Sequence, residues 1–245
     1  MRPRTLSLAM TDEWVEWHKG YGKDTNQARR LAVVQDKIRQ ALNDAAPGPI
    51  QVISMCAGDG RDLSGALQGH PRSRDVQARL VEFDEELAKA GREHLSHIDA
   101  PGVDFAVGDA SNTDAYAGMV PSKIVLACGV FGNITDEDVK NTIDHLPELC
   151  TQGSTVIWTR GRFEPDLTPR IRDWFRAAGF EEVSFVAIPD STASVGVHRL
   201  VGHPRPFRPH QRLFTFLPFE QRPSNRSRAT QRSSRPSHPS TDQPA

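Results

Sequence analysis

The sequence contains little cysteine. Its 245 residues include three cysteines, Cys56, Cys128 and Cys150, which are far apart and lack the close pairing of metal ligands. An odd, dispersed set does not form a disulfide framework, and unpaired thiols are typical of a reducing compartment. We therefore expect a cytoplasmic protein without structural disulfides.

Long hydrophobic runs and an excess of charge are also missing. No apolar stretch approaches the roughly 18 residues that a membrane span needs, and the amino-terminal residues do not make a signal sequence. The formal net charge is −1, so the chain as a whole has no electrostatic attraction to nucleic acid or to an anionic membrane. The histidines, among them His94, His97 and His145, have no second ligand at metal-site spacing. We expect a small molecule, rather than a membrane, a nucleic acid or a metal ion, as the partner.

Residues 49–63 carry the most informative pattern. An apolar run, Ile50–Met55, gives way to Cys56, Ala57, Gly58, Asp59 and Gly60, after which a helix begins at Arg61. Two glycines one residue apart allow a sharp turn without side chains on it, and the free N–H groups of the helix point to the same space. This strand, turn and helix predict a nucleotide-type site at the carboxyl edge of an α/β sheet. A tight turn without a ligand is the alternative reading of the same residues.

Two residues that are missing from this segment restrict the kind of nucleotide that it could bind. A dinucleotide-binding turn has a third glycine where Leu63 stands, which argues against nicotinamide and flavin cofactors. A phosphate-binding loop ends in Gly-Lys-Ser or Gly-Lys-Thr, whereas Gly60 is followed by Arg61 and Asp62. Triphosphate chemistry is therefore not indicated.

The segment CAGDGRDL, residues 56–63, resembles the first motif of class I S-adenosylmethionine-dependent methyltransferases. The resemblance implies that the turn binds S-adenosylmethionine through Cys56, Ala57, Gly58, Asp59, Gly60 and Arg61. The family often has an acidic residue about where Met55 or Cys56 stands, and this chain has none there. The group that meets the cofactor's ammonium is therefore left open.

Two acidic residues follow later strands. Glu82 ends a predicted strand over residues 76–83 and lies 22 residues after Gly60, close to the roughly 20-residue interval at which a carboxylate meets ribose hydroxyls. Asp84 is predicted to cap the next helix instead. Asp109, followed by Ala110, comes after a predicted strand over residues 103–107, where the resembled family binds the adenine amine. A turn cap is the alternative role for Asp109.

The loop after the fourth predicted strand, residues 123–128, is expected to flank the reactive methyl group. The resemblance assigns Cys128, Gly129 and Val130 to the cofactor, and Phe131 and Asn133 are candidates for substrate contact. The loop is not the Asn/Asp-Pro-Pro-aromatic sequence of methyltransferases that modify nucleobase or glutamine amines. This difference favours another, small-molecule acceptor.

The remaining pattern alternates strands and helices and then gives two alternating runs, residues 180–188 and 194–201, typical of a hairpin. It predicts an α/β, Rossmann-like doubly wound fold: a mostly parallel seven-stranded sheet with a C-terminal antiparallel hairpin and N-terminal helices. Residues 213–217 are predicted to add an edge strand or to dock on the surface. The expected organisation is a helical extension or lid over residues 1–48, a cofactor-binding domain over 49–218 and a disordered tail over 219–245.

An aromatic stripe near the amino terminus is a candidate lid. Trp14, Trp17, His18 and Tyr21 have helical spacing, so they either cover the substrate or dock the helix on the domain. His18 and His198 are the candidates for a base, which the reaction needs only if the acceptor keeps its proton. The predicted function is a methyltransferase; the alternatives are a catalytically silent cofactor-binding module and an NAD(P)-dependent oxidoreductase.

Overall fold

The structure, a computed structural model, describes residues 25–223. Within that range it contains five α-helices and seven β-strands, which we number in chain order. The helices are α1 (Asn26–Asp44), α2 (Arg61–Leu67), α3 (Glu85–Leu95), α4 (Asp136–Leu149) and α5 (Thr168–Ala177). The strands are β1 (Ile50–Met55), β2 (Val76–Glu82), β3 (Val103–Val107), β4 (Ser122–Ala127), β5 (Cys150–Gly161), β6 (Phe180–Ala187) and β7 (Ala193–Leu200).

The strands form one sheet in the order β3-β2-β1-β4-β5-β7-β6. β1 to β5 run parallel to one another, and β7 lies antiparallel between β5 and β6. The predicted Rossmann-like seven-stranded sheet with a final antiparallel hairpin is confirmed. From β1 the chain first builds the sheet to one side, through β2 and β3, and then continues on the other side of β1 with β4 and β5. Ligands bind beside such a reversal of the strand order, at the carboxyl ends of the strands.

Two apolar layers hold helices against the two faces of the sheet. On one face, buried side chains of α1, α2 and α3 pack on the strands; on the other, those of α4 and α5 do so. The central strands β1 and β4 are almost continuously buried, as expected for parallel strands covered on both sides. Each helix packs one face on the sheet, which accounts for the amphipathic periodicity of its sequence.

Helix α1 belongs to this core. Its side chains Val34, Ile38 and Leu42 are fully buried in the same cluster as β1 and β2. Its cap is Thr25, whose Oγ1 accepts a hydrogen bond from the Ala28 N–H at 3.1 Å. A lid covering all of residues 1–48 does not agree with this packing, so the lid hypothesis is restricted to residues before α1.

The chain after β7 packs along α4 without adding a strand to the sheet. Two isolated bridges connect this segment to other loops, Asn112 with Arg212 and Ile134 with Phe216. Residues 213–217 therefore dock on the domain, which is the second of the two predicted alternatives. Phe219–Gln221 form a short 3-10 turn, and Arg222 is buried, its Nε donating to the Leu217 carbonyl at 3.2 Å. Residues 219–223 are therefore ordered, although the predicted tail begins at residue 219, and residues 224–245 lie outside the described range.

None of the helices between residues 25 and 223 is both long enough and apolar enough to cross a membrane.

Candidate functional site

The candidate site lies at the carboxyl edge of β1, β2, β3 and β4. The glycine turn follows β1, Glu82 ends β2, Asp109 follows β3, and Cys128 follows β4. The turn is tied to β2 by a hydrogen bond from the Ala57 N–H to the Val81 carbonyl at 2.9 Å. Burial, followed by the nearby charges of Glu82 and Asp109, raises the pKa of the Cys56 thiol. The fold thus brings the groups that follow separate strands into one small region.

The glycine turn requires a left-handed backbone at three positions. Cys56, Gly58 and Gly60 have φ values of 52°, 59° and 69°. Glycine adopts this region without the steric penalty that other residues pay. At Gly60 a Cβ would lie 2.7 Å from both Leu80 Cδ2 and Phe105 Cζ, so this residue also allows the turn to approach the sheet.

Glu82 holds the glycine turn in place. Its carboxylate is buried; Oε2 accepts the Gly58 N–H at 2.7 Å and Oε1 accepts the Asp84 N–H at 2.9 Å. Asp84 caps α3 as predicted, since its Oδ1 accepts the N–H groups of Glu86 and Leu87. The two acidic residues are therefore divided in role, one facing the turn and the other the helix.

Asp59 and Arg61 pair with each other across the start of α2. The Arg61 Nε lies 2.7 Å from Asp59 Oδ1 and 2.9 Å from Oδ2, and its Nη2 also contacts Oδ2. Asp59 is buried and Arg61 is half-buried. This ion pair braces the turn, and the cofactor contacts predicted for both residues stay a prediction.

Asp109 caps a turn and also faces the C-terminal segment. Its Oδ1 accepts from the N–H and the Oγ of Ser111, at 2.9 and 2.5 Å. Its Oδ2 lies 3.3 Å from Arg212 Nη2, and about half of the side chain (48%) is exposed. Asp109 therefore caps the turn, as one of its two predicted roles requires, and the exposed part of its carboxylate faces solvent at the edge of the site. Ala110 beside it is buried, and its carbonyl accepts from the Tyr116 hydroxyl at 2.5 Å.

The loop after β4 is hydrogen-bonded to the neighbouring strand β5. The Gly129 N–H donates to Thr159 Oγ1 at 2.8 Å, and Gly129 has a left-handed φ of 76°. Burial, then the charge of Asp62, raises the pKa of the Cys128 thiol. Burial is also the main cause of the raised pKa of Asp62, which hydrogen-bonds to Cys128. This contact joins the first turn of α2 to the start of the loop.

The two loop residues proposed to touch substrate have structural partners. Phe131 is fully buried, with its ring 5.9 Å from Trp158 and 6.4 Å from Phe175, so its side chain belongs to the core. Asn133 Nδ2 donates to the Gly129 carbonyl at 2.5 Å and closes the loop. Trp14, Trp17, His18 and Tyr21 lie outside the described residues.

His198 is a core residue and does not suit the role of base. It lies on β7 opposite Val156, five residues before the end of β5, and is only 1% exposed. Its ring stacks on Phe175 with centroids 4.2 Å apart, and its Nδ1 accepts the Trp158 Nε1–H at 3.1 Å. Burial lowers the pKa of His198 to about 4, so the ring is neutral at physiological pH.

Two exposed apolar side chains at this edge were not predicted. Val107 ends β3 opposite Glu82, and Phe83 directly follows Glu82; they are 49% and 47% exposed. Exposed apolar groups beside a buried carboxylate suit contact with a flat ring. Their position at the ends of the strands is the only signal that the sequence offers for them.

Arg160 was also missed. It lies near the end of β5, is 6% exposed, and donates through Nη1 to the Phe131 carbonyl, with Asp136 Oδ1 3.7 Å from Nη2. Burial lowers its pKa.

Among residues 25–223, no group of three or more His, Cys, Asp or Glu side chains is placed to hold a metal ion.

Fold and site together define a Rossmann-like α/β protein with a cofactor-type site at the carboxyl edge of its sheet. The chain belongs to a methyltransferase family, since residues 22–172 match the model described as "Putative methyltransferase". This confirms the methyltransferase class predicted from the sequence and disagrees with the oxidoreductase alternative. No curated protein sequence matches the chain.

Solved structures of methyltransferases share the fold. The magnesium protoporphyrin IX methyltransferase of Synechocystis PCC 6803, solved with S-adenosylmethionine, has a TM-score of 0.60 and 14% identity, over 76% of this chain and 90% of that one. The 1,6-didemethyltoxoflavin-N1-methyltransferase of Burkholderia thailandensis, solved with bound 1,6-didemethyltoxoflavin and S-adenosylhomocysteine, has a TM-score of 0.56 and 15% identity, over 82% of this chain and 94% of that one. A TehB-like S-adenosylmethionine-dependent methyltransferase of Corynebacterium glutamicum has a TM-score of 0.54 and 13% identity, over 78% and 98%.

Proposed function

We propose that this protein transfers the methyl group of S-adenosylmethionine to a small-molecule acceptor. The observation that carries the proposal is the convergence of the glycine turn with Glu82, whose Oε2 accepts the Gly58 N–H at 2.7 Å. The family match and the solved methyltransferases that hold S-adenosylmethionine or S-adenosylhomocysteine support the same cofactor. The three free cysteines support a cytoplasmic location.

The ribose and the methionine part of the cofactor belong at the glycine turn. Residues 56–61 form the turn at the carboxyl edge of β1, with two glycines among them and with Cys56, Ala57 and Arg61 partly exposed. Glu82 accepts the Gly58 N–H through Oε2 and the Asp84 N–H through Oε1, so its carboxylate is held at the end of β2 beside the turn. We assign the ribose hydroxyls to this carboxylate, because a carboxylate accepts hydrogen bonds from a vicinal diol.

The adenine belongs between the ends of β2 and β3. Phe83 and Val107 supply exposed apolar surface for its ring, and Asp109 with Ala110 supplies the polar edge. Cys128, Gly129 and Val130 then flank the sulfonium, where a buried, weakly charged wall excludes water. Each of these roles is a proposal that substitution tests residue by residue.

Methyl transfer at this site needs positioning more than it needs a catalytic side chain. The acceptor lone pair forms a bond to the methyl carbon while the carbon–sulfur bond breaks, and S-adenosylhomocysteine leaves with the electron pair. A sulfonium is already activated, so alignment and exclusion of water supply most of the rate. The acceptor's proton passes to water or to a base. His198 is too buried for that task, and His18 stays a candidate.

A small molecule is the acceptor class that the sequence favours. The Cys-Gly-Val-Phe loop differs from the loop of nucleobase and glutamine methyltransferases, and two of the solved neighbours are named for small ring compounds. Trp14, Trp17, His18 and Tyr21, within a lid of residues 1–22, are proposed to close over this acceptor, with Asn133 at its edge. We take the cofactor-binding domain to include α1.

Titration calorimetry with S-adenosylmethionine, S-adenosylhomocysteine, NADH and FAD tests the cofactor. We expect micromolar or tighter binding of the first two, about 8 kcal/mol, and none of the others. Gly58→Val should abolish that binding, while Gly69→Val, at an equally left-handed glycine with open space around it, should not. Transfer of a labelled methyl group to a panel of metabolites then tests turnover. Binding of NADH or FAD without S-adenosylmethionine would overturn the proposal.

A further inference from the structure

Residues 205–217 form a strap that connects the two sides of the candidate site. The strap follows β7 and lies beyond residues 22–172, the part of the chain that matches the family model. It begins at the carboxyl end of α4, where the Arg205 N–H donates to the Pro147 carbonyl at 2.9 Å. Arg208 donates from Nη2 to the buried Glu148 Oε1 at 2.6 Å. From there it runs back along α4 toward that helix's amino end.

The middle of the strap is bonded to the loop after β3. The Leu213 N–H donates to the Ser111 carbonyl at 2.7 Å, and the Thr113 N–H donates to the Gln211 carbonyl at 2.9 Å. Leu213 and Phe214 are buried in the core on the α4 side of the sheet. The strap is therefore a packed part of the domain at the point where it meets the Asp109 loop.

The end of the strap is bonded to the loop after β4. The Leu217 N–H donates to the Asn133 carbonyl at 2.9 Å, and Phe216 forms a bridge with Ile134. Asn133 in turn closes its own loop through the Gly129 carbonyl. One continuous segment thus contacts both the loop proposed to bind adenine and the loop proposed to flank the methyl group.

Arg212 is the side chain through which the strap acts on the site. Its Nη1 donates to Ser111 Oγ at 2.7 Å, and its Nη2 lies 3.3 Å from Asp109 Oδ2. Ser111 holds the other Asp109 oxygen, so the two partners together fix the rotation of a carboxylate that is about half exposed. A carboxylate fixed in this way binds a directional donor with a smaller loss of side-chain entropy.

We propose that Arg212 is a positioning residue for the cofactor: it holds Asp109 in the orientation that receives the adenine amine, and the strap keeps the two loops at the spacing that the cofactor spans. This inference rests on the proposed function, because it takes Asp109 as a cofactor ligand. Arg212 touches neither the cofactor nor the acceptor in this arrangement and acts through Asp109 and Ser111.

Calorimetry with S-adenosylhomocysteine on the full chain tests the proposal. Arg212→Ala should raise Kd by up to about 5-fold, the loss expected for an ion pair whose two side chains are about half exposed, and Arg212→Lys should recover part of the loss. Arg205→Ala is the matched control. Arg205 lies in the same strap with a similar exposure, 48% against 57%, and its Nη2 is 3.9 Å from Glu148 rather than near Asp109; its removal should leave Kd unchanged.

A double-mutant cycle distinguishes positioning from general damage. In an Asp109→Ala background, Arg212→Ala should make no further difference to Kd, since the group that it positions is gone. An equal loss with and without Asp109, or an unchanged Kd in Arg212→Ala, overturns the proposal while leaving the proposed function intact. A wild-type chain that binds no S-adenosylhomocysteine contradicts the proposed function itself. If Arg212→Ala has no melting transition, Arg212→Lys in the same cycle carries the test.

Discussion

At the scale of single residues, Glu82 combines two tasks, and substitution should reveal both. Glu82→Ala removes the acceptor of the Gly58 and Asp84 N–H groups together with the proposed ribose contact. We expect cofactor binding to weaken by roughly 1–3 kcal/mol, the usual cost of losing hydrogen bonds to a charged group. Titration calorimetry measures the affinity, and urea unfolding measures the accompanying loss of stability.

Asp84→Ala is the matched control for Glu82, because it lies two residues away and faces the other side. It should lower the free energy of unfolding by about 1 kcal/mol through the lost helix cap and leave cofactor affinity unchanged. If Asp84→Ala weakened binding more than Glu82→Ala did, the assignment of the ribose contact would have to be exchanged between them.

Gly60 has a packing role as well as a turn role, which changes what its substitution does. A Cβ there would meet Leu80 Cδ2 and Phe105 Cζ at 2.7 Å, so any side chain at this position forces both neighbours to shift. Gly69 has nearly the same φ, 67° against 69°, with no atom within 4 Å of its Cβ position. Both Ala variants bear the left-handed cost of about 1–2 kcal/mol. Gly60→Ala should lose roughly 1–3 kcal/mol more by overpacking, as urea unfolding would show; equal losses would contradict this.

His198 predicts a pH dependence of stability. Burial lowers its pKa to about 4 from 6.5, so between those values the unfolded chain binds a proton that the folded chain does not. Stability therefore falls as the pH falls from 6.5, by about 2 kcal/mol at pH 5 from this residue.

His198→Phe should flatten that fall. It costs about 1–3 kcal/mol at pH 7.5, because the Trp158 N–H loses its acceptor, but it removes the protonation. The measurement is the difference between the unfolding free energies at pH 7.5 and pH 5.0 in each protein. The same difference in both would show that His198 does not control it.

At the scale of elements, α1 and the residues before it should behave differently. Ile38 is fully buried, so Ile38→Ala should cost about 2–5 kcal/mol of stability. Deleting residues 1–22 should leave the melting temperature nearly unchanged and lower methyl transfer much more, as expected of a lid. Melting temperature, cofactor affinity and turnover of both variants check this. Unfolding of the deletion, or unchanged turnover, contradicts the lid hypothesis.

The strands and the glycine turn could be predicted because their signals are local. β1 and β3 have the predicted bounds, since each is an apolar run followed at once by a turn-forming sequence. The capping role of Asp84 was equally readable, because a cap acts within three residues.

The strap and the buried ring cluster of Phe131, Trp158, Phe175 and His198 could not be predicted in the same way. Arg212 and Asp109 are 103 residues apart in the chain, and they are brought together by the packing of Leu213 and Phe214 and by backbone hydrogen bonds between the strap and the loop after β3. His198 and Phe131 carry chemistry that suits a site, but the fold places both among Trp158 and Phe175. Residue type suggests a role, and three-dimensional position decides whether it is available.

At the scale of the whole molecule, Arg222 is buried, so a truncation of the C-terminal residues should leave it in place. Deleting residues 224–245, a segment rich in Arg, Ser and Pro, should leave melting temperature and cofactor affinity unchanged. Deleting from residue 205 should instead unfold the domain, because Leu213 and Phe214 would leave the core. Differential scanning calorimetry of the two truncations checks both. A large drop for the shorter deletion would show that the tail contributes to stability.

The position of β7 between β5 and β6 has a consequence during synthesis. A ribosome delivers β6 before β7, yet β6 pairs with β7 alone among the strands of the sheet, and β7 also covers the open side of β5. Until residue 200 has emerged, a nascent chain has one unpaired strand and one open sheet edge, both of which favour contact with other chains. Between the emergence of β6 and that of β7, β5 and β6 therefore expose backbone groups that β7 later covers.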